Sequence, residues 1–473
     1  MTVPSFQFLA FAIVGAAVFN LFSAPRWRTA VLLIVNLLFF ASQSAGLISI
    51  IPFVGFLAFG FLSVEVLQRK SNKTYAILLG SIALAGFFWL KKYSFVPEEL
   101  LLAFPYVTVG LSYVFFRVLH VIIDVQQRAI TNRIGLLDYI NYTLNFTSLV
   151  SGPIQNYQDY HRMQAEEPLE LTEVVVAEAF ERIISGFFKV SVVSVALRYL
   201  HNFVTADVGS DLVFVDRVAI GALTTAVYPI YLYFNFSGYV DAVIGTARLF
   251  RIKLPENFDR PFSAVNFIEF WSRWHITLSV WLKTYVYNQL VMLMMKRARV
   301  PMFDPFIGVV AFFVTFFLVG AWHGQTAEFL FFGVLQGGGV ATNKLYQIVV
   351  TRLLGRKQYQ TLSRDGIYRT LSRGLTFTWF AFTLLWFWSD WQGIGLLAQW
   401  LGVAGMTLAA VAVVGCAVPL LSAGEVLYAA IAQRSFLSSR YLRAVSVTME
   451  LVTLLALYIV LYSPAPQIVY RAF

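Results

Sequence analysis

The chain runs in long apolar stretches interrupted by short polar islands. Windows of roughly 17 to 25 apolar residues, the length a helix needs to cross a bilayer core, recur around 5–22, 29–67, 75–90, 102–123, 138–153, 182–204 and 217–235. Further runs lie near 238–250, 276–295, 305–322, 327–350, 374–388, 395–421 and 447–463, and several of these are too short or too polar to span without tilting. The pattern predicts an all-α polytopic membrane protein with roughly ten to twelve spans plus re-entrant or interfacial pieces. The longest soluble-looking segments, 154–181 and 351–373, are loop-sized, and no Pro/Ser-rich linker divides the chain. Residues 1–473 therefore read as one integral domain.

Charge adds orientation. Only 13% of the residues are charged against 59% hydrophobic, far from the mix of a soluble domain. The amino-terminal apolar run has no basic residue before it, and Arg26 and Arg28 follow it, the reverse of a cleavable signal peptide. The segment is expected to be retained. Because basic residues near membrane ends prefer the cytoplasm, Arg26 and Arg28, then Arg69, Lys70 and Lys73, put the amino terminus outside. Lys296, Arg297 and Arg299 form one further cytoplasmic patch, and Arg352, Arg356, Lys357, Arg364, Arg369 and Arg373 form another. The net charge of +10 is thus mostly topology; the patches suit anionic lipid head groups and not nucleic acid. The single cysteine, Cys416, lies in an apolar run and rules out disulfides within the chain.

The polar islands carry the candidate chemistry, since an ionisable side chain at membrane depth costs about 2.5 to 3.5 kcal/mol on insertion scales and faces a cavity or a partner. Asp241 and Arg248 sit seven apart on one helical face, either as functional groups or as a buried pair that fixes packing. Pro255 and Pro261 bracket Glu256, Asn257, Asp259 and Arg260 and indicate a structured turn. After it, VNFIEFWSRWHITLSVWLKTYVY interleaves aromatics and charges and reads as an interfacial helix, with Glu269 and Arg273 at i and i+4 and Trp271, Trp274 and Trp281 suited to a membrane boundary. His275 within it is either functional or simply a hydrogen-bonded imidazole. His323 ends the run FIGVVAFFVTFFLVGAW between Gly320 and Gly324, which permit close backbone approach, so its imidazole belongs near a break in a membrane helix.

Three catalytic classes can be tested. Five histidines without an HExxH or paired cysteines give no metal site. GxSxG is absent, so no serine nucleophile elbow is present. His120 and Asp124 stand one turn apart in an unbroken apolar pattern and read as a helix-internal polar pair. General-base attack by an alcohol on an activated acyl group needs only one well-placed neutral histidine.

The segments YLYFNFSGYVDAVIGTARLFRIKLPENFD, EFWSRWHITLS and AWHG closely resemble the signature segments of the membrane-bound O-acyltransferase family, bacterial branch. VGLSYVFFRVLHVIIDV (109–125), SGPIQNY (151–157) and ERIISGFFKV (181–190) extend the resemblance over most of residues 90–345. It implies a ring of tilted helices around a thin core, with a funnel from each membrane face. It implies His323 as the general base and His275 as the second motif histidine, and Asn257, Trp274, Trp322, Asp241 and Arg273 are read as positioning donor or acceptor. By the same resemblance no cofactor is bound; acetyl-CoA or an acyl carrier protein thioester is the donor, and a secreted or anchored hydrolase-like protein outside the bacterial inner membrane is the partner. The expected product is an O-acylated surface polysaccharide. D-alanyl transfer to teichoic acid is the alternative, favoured by Tyr287-Asn288-Gln289 and the basic, methionine-rich stretch after it. Gln336 and Asn235 depart from the histidine and aspartate often found at these positions in relatives. A transporter would show an internal repeat, and the halves show none that convinces.

Overall fold

The structure is a computed structural model that describes residues 1–44, 46–93, 95–165, 168–297, 304–433 and 440–461. Among the described residues it is helical, with no strand beyond one isolated bridge. In chain order the helices are α1 (Phe6–Asn20), α2 (Pro25–Ala41), α3 (Leu47–Arg69), α4 (Lys73–Leu90), α5 (Leu111–Gln126), α6 (Leu136–Thr143), α7 (Tyr157–Ala165), α8 (Glu173–Phe188), α9 (Ser194–Ala206) and α10 (Phe214–Leu249). They continue with α11 (Phe267–Arg273), α12 (Ile276–Leu282), α13 (Asn288–Arg297), α14 (Asp304–His323), α15 (Ala327–Leu354), α16 (Arg356–Arg364), α17 (Gly366–Thr383), α18 (Leu385–Trp388), α19 (Trp391–Gln433), which is two helical pieces joined by a kink at Gly402 (φ 63°, ψ 175°), and α20 (Arg440–Leu461).

Six helical stretches among the described residues are long and apolar enough to cross a membrane: Leu47–Arg69, Lys73–Leu90, Glu173–Ala206, Phe214–Leu249, Pro305–His323 and Trp391–Ile431. Two π-helical turns, Lys189–Val193 and Lys283–Tyr287, interrupt otherwise α-helical runs. The apolar windows at 217–235 and 238–250 join into α10, a single helix that carries Pro229 inside it. The window at 29–67 is instead cut in two by a turn after Ala41.

The helices sort into two compact units that interleave along the chain. One comprises Met1–Ser191, Phe236–Pro255 and the residues from Thr453 onward; the other comprises Val192–Asn235 and Glu256–Val452.

In the first unit, the apolar window at 138–153 does not form the span expected of it. The helix stops at Thr143, and the chain runs on as buried non-helical backbone. Such backbone is tolerated at membrane depth only where the protein satisfies its polar groups, and buried side chains do so here. Arg117, on α5, donates to the carbonyls of Tyr142 (3.1 Å), Thr143 (2.8 Å) and Ser148 (2.9 Å) and to the Ser148 hydroxyl (2.7 Å). Asn36 Oδ1 accepts from the Phe146 amide at 2.9 Å, and its Nδ2 donates to Asn141 Oδ1 at 3.0 Å. Asn145 Oδ1 accepts from the Thr147 amide and hydroxyl at 3.2 and 2.7 Å. The apolar count of the window was right, but its asparagines and threonines favour local hydrogen bonds over a helix.

In the second unit, three chain reversals are tied together at one end. The Trp391 amide donates to Glu328 Oε1 at 3.3 Å, Trp400 Nε1 to the Ser210 carbonyl at 2.7 Å, and Arg217 Nη1 to the Trp400 carbonyl at 3.4 Å. This links the α9–α10 loop, the α14–α15 turn and the α18–α19 junction. The far end of α15 carries Arg352, and the α16 and α17 helices that follow it carry Arg356, Lys357, Arg364 and Arg369.

Arg117→Leu removes the donor from three buried carbonyls at once. It should lower the stability of the detergent-solubilised protein by about 3 kcal/mol or more, read as a fall in the midpoint of thermal unfolding, while an exposed change such as Arg356→Leu leaves the midpoint where it was.

Candidate active site

The segment expected to be one interfacial helix is two short helices with His275 at the break. Asn266 starts α11, its side chain accepting from the Glu269 amide at 2.9 Å, while Glu269 reaches back to the Val265 amide at 3.1 Å, a reciprocal cap that the Asn-x-x-Glu spacing encodes. The helix ends after two turns because the preceding proline-bracketed segment pairs with its far end. The Asp259 amide donates to the Arg273 carbonyl at 3.0 Å and the Ile276 amide to the Asn257 carbonyl at 3.0 Å. Phe258 and Trp274 form the antiparallel bridge between these bonds.

His275 is thereby held in the left-handed region, with φ 44° and ψ 53°, a conformation uncommon outside glycine and seen where surrounding structure enforces it. Asn257 supplies the enforcement. Its Oδ1 accepts from the Thr277 amide at 3.1 Å and from the Thr277 hydroxyl at 2.6 Å, so the first turn of α12 is anchored beside the strained residue. Both Asn257 and His275 are buried.

The second histidine is placed by helix packing. On α15, Gly333 and Gly337 face the Phe317 and Phe313 carbonyls of α14, and a Cβ on Gly337 would lie 2.5 Å from the Phe313 oxygen. Gly320 on α14 lies against Gly333 and the Phe329 carbonyl in the same way. Small residues at four-residue spacing let the two backbones touch, and the hairpin closes so tightly that α14 ends on His323 itself. His323 is buried, with its ring 5.1 Å from Phe387 and 5.9 Å from Phe332.

Trp322 connects the two histidines. Its ring lies 4.7 Å from that of His323 and 6.2 Å from that of His275, so one indole flanks both imidazoles. The structure therefore gathers His275, His323, Trp322 and Asn257 in one buried region of the second unit. Trp274 lies behind this group in an aromatic stack, 5.7 Å from Phe270 and 5.1 Å from Phe380. Arg273 points away, pairing with Glu269 at 2.8 Å and Asp259 at 3.6 Å. Gln336 is buried and donates to the Thr383 hydroxyl at 2.7 Å; Asn235 is buried, 3.5 Å from the Ser194 hydroxyl.

Asp241 belongs to the first unit, and the expected pairing with Arg248 does not form. Asp241 binds Arg182 at 2.9 Å and Lys189 at 2.6 Å, whereas Arg248 binds Glu178 at 3.1 Å. Seven residues put two side chains on the same face but two turns apart, and α8 offers nearer partners. His120 and Asp124 form a local pair at 3.4 Å in that unit, with His120 Nε2 accepting from the Tyr157 amide at 2.9 Å. Phe387 and Phe332, which touch His323, carried no signal in the sequence, because one more phenylalanine in an apolar helix looks like lipid-facing bulk.

A sequence profile of MBOAT, the membrane-bound O-acyltransferase family, matches residues 38–387. The chain belongs to this family. With its apolar helices, that makes it a membrane-embedded protein. This MBOAT is similar to "Teichoic acid D-alanyltransferase" of Bacillus subtilis (strain 168), 26% identical over 231 residues that cover 48% of the chain and 56% of the relative. It is similar to "Probable alginate O-acetylase AlgI" of Pseudomonas aeruginosa, 25% identical over 346 residues covering 68% of the chain and 62% of the relative. It is similar as well to "Peptidoglycan O-acetyltransferase" of Helicobacter pylori, 30% identical over 218 residues covering 44% and 38%. The match to each spans between about a third and two thirds of the relative's own length.

Three changes separate packing from positioning in this MBOAT. Gly333→Val drives a branched side chain into the Phe317 carbonyl and should cost about 3 kcal/mol or more, whereas Gly338→Ala, whose Cβ meets nothing within 4 Å, should be neutral or stabilising by up to about 1 kcal/mol; thermal unfolding distinguishes them. Asn257→Leu removes the acceptor from Thr277 and should lower stability by about 1–2 kcal/mol, as loss of a helix cap does, with a larger proportional loss of activity than of folded protein.

Proposed function

We propose that this MBOAT is an O-acyltransferase that moves a small acyl group, acetyl, from a cytoplasmic thioester across the membrane onto a hydroxyl of a cell-surface polysaccharide. The observation that carries the reading is the buried His323 at the end of the glycine-packed α14–α15 hairpin, flanked through Trp322 by the strained His275.

In the proposed reaction the neutral His323 imidazole takes the proton of the acceptor hydroxyl as its oxygen attacks the thioester carbonyl. The new C–O bond forms, the C–S bond breaks, and the leaving thiolate takes up a proton. His275 and the Asn257 clamp position donor or acceptor. Tight, fixed geometry matters because it removes the entropy of bringing two substrates together.

The donor is acetyl-CoA or an acyl carrier protein on the cytoplasmic side, with no bound cofactor, and an extracytoplasmic hydrolase-like protein is the partner that hands the group onward. The protein lies in the bacterial inner membrane with its amino terminus outside, in a ring of roughly ten to twelve tilted helices around a thin core. The basic ends of α15, α16 and α17 face the cytoplasm. A second reading, D-alanyl transfer from a carrier protein, is favoured by the similarity to the Bacillus D-alanyltransferase.

Protein in nanodiscs, given labelled acetyl-CoA or a D-alanyl-loaded carrier protein, should consume acetyl-CoA in a reaction lost in His323→Ala by a factor of 100 or more. His275→Ala should fall comparably if the two share the chemistry, and by about tenfold if His275 only positions. Consumption of the carrier thioester alone moves the protein to the alanylation reading, and His323→Ala at wild-type rate removes the proposed base.

A further inference from the structure

The reversal between α3 and α4, in the first unit, brings together arginines that are far apart in the chain. Beside it lies a cavity of about 640 Å³, lined among others by Glu65 and Arg69 from the end of α3, Ser71 from the turn, and Arg128 and Arg133 from the segment after α5. Two hydrogen bonds fix its walls. Ser71 Oγ donates to the Gln126 carbonyl at 3.0 Å, and Gln68 Nε2 donates to the Asn132 carbonyl at 3.2 Å. The sequence pattern puts Arg69 in a basic patch with Lys70 and Lys73; Arg128 and Arg133 join it only through the fold.

Three guanidiniums share one carboxylate in this cavity. Glu65 takes Arg69 at 3.4 Å and Arg133 at 3.3 Å, and the two arginine side chains stay 80% and 78% exposed, so most of their N–H donors remain open. Arg128 pairs with no carboxylate among the described residues. The neighbouring acids do not balance the charge. Asp124 is buried beside His120 and accepts from Gln158 Nε2 at 2.6 Å, Asp138 sits in the first turn of α6, and neither lines the cavity. Lys70, over the Tyr75 ring at 5.7 Å, and Lys73 at the start of α4 add positive charge close by. The missing partner is an anion, and the arginine fork matches the paired oxygens of a phosphate.

The backbone at Arg128 points the same way. At the end of α5 the Ala129 and Ile130 amides both donate to the Asp124 carbonyl, at 2.9 and 3.3 Å, and this cap puts Arg128 in the left-handed region at φ 60°. Glycine is the usual residue there, because it adopts that conformation without a steric cost. An arginine in its place fits a position whose side chain is needed in the cavity.

The surroundings choose between a lipid and a soluble phosphate. Both α3 and α4 are long and apolar enough to cross a membrane, so the reversal that joins them belongs at the level of the lipid head groups. Leu62, Val66 and Arg69 follow one another along α3 at four- and three-residue spacing, and Leu62 and Val66 are exposed. An apolar strip therefore leads away from the guanidinium at the rim. A soluble phosphate would use the arginines alone, whereas a phospholipid uses the arginines and the strip.

We infer that Arg69, Arg128 and Arg133 form a binding site for the phosphodiester of one anionic phospholipid, whose acyl chain lies along Leu62 and Val66. The site stands whether or not the protein transfers acyl groups.

The test uses the full chain in detergent with three probes: phosphatidylglycerol, phosphatidylcholine and soluble glycerophosphoglycerol. Native mass spectrometry should show one phosphatidylglycerol held at concentrations where the other two are not, because phosphatidylcholine brings its own positive charge and the free head group lacks the chain. Arg128→Gly removes a guanidinium and relieves the backbone, so in detergent alone it should unfold no earlier than the wild type. It should nevertheless bind phosphatidylglycerol about tenfold more weakly and lose the rise in unfolding midpoint that this lipid gives the wild type. Arg133→Gln should weaken binding likewise, while Arg356→Gln on α16 should not. Equal retention of phosphatidylcholine, binding unchanged in Arg128→Gly and Arg133→Gln, equal weakening in Arg356→Gln, or no lipid held at all overturns the inference. Glycerophosphoglycerol bound as tightly as the lipid overturns the lipid as occupant and makes the cavity a site for a soluble phosphate ester.

Discussion

Backbone-to-backbone contact between α14 and α15 is the constraint on which the buried histidine region depends. In a bilayer, apolar side chains gain little by leaving lipid for protein, so helices associate through close packing. The glycines at 320, 333 and 337 remove the side chains that would hold the two helices apart, and the carbonyls of Phe313, Phe317 and Phe329 occupy the space. A hairpin closed that tightly must turn abruptly, and the residue left at the turn is His323. Its burial follows from the packing of glycines up to fourteen residues away, together with the Phe332 and Phe387 rings that cover it.

The other histidine is placed by hydrogen bonds. A continuous helix through 267–282 would satisfy its own backbone, yet the chain breaks at His275 because the Asn257 to Asp259 segment offers the backbone an alternative ladder and a side-chain acceptor for Thr277. The left-handed backbone of His275 costs about 1–3 kcal/mol, and the bonds on either side of it offset that cost. Arg117 and Asn36 do the same for residues 142–148 in the first unit, where buried donors and acceptors replace the missing helix. In both units, irregular backbone persists where a side chain from a distant part of the chain completes its hydrogen bonds.

The region around His323 is apolar in composition and polar in its details. Trp322, Phe332 and Phe387 exclude water around His323, and the polar groups nearby are few. Such a site favours a proton transfer between a neutral imidazole and a hydroxyl, since neither partner starts with a charge that burial would penalise.

Much of this was legible in the residues. The apolar runs give a helical membrane protein because lipid leaves the backbone few alternatives, and the motif segments give the family and name His275 and His323. The prolines at 255 and 261 mark the clamp, and Gly320 and Gly324 mark a close approach at the end of a helix. Hydropathy could not show that 138–153 would fail to span or that the interfacial helix would break at His275. Nor could spacing along α10 show that Asp241 would take Arg182 and Lys189 in place of Arg248. Each of these outcomes turned on a partner between 14 and 110 residues away in sequence, and the choice between a local hydrogen bond and a distant one is made only when the helices pack. Periodicity reports what a segment can bury; which polar group meets which is decided by the tertiary fold.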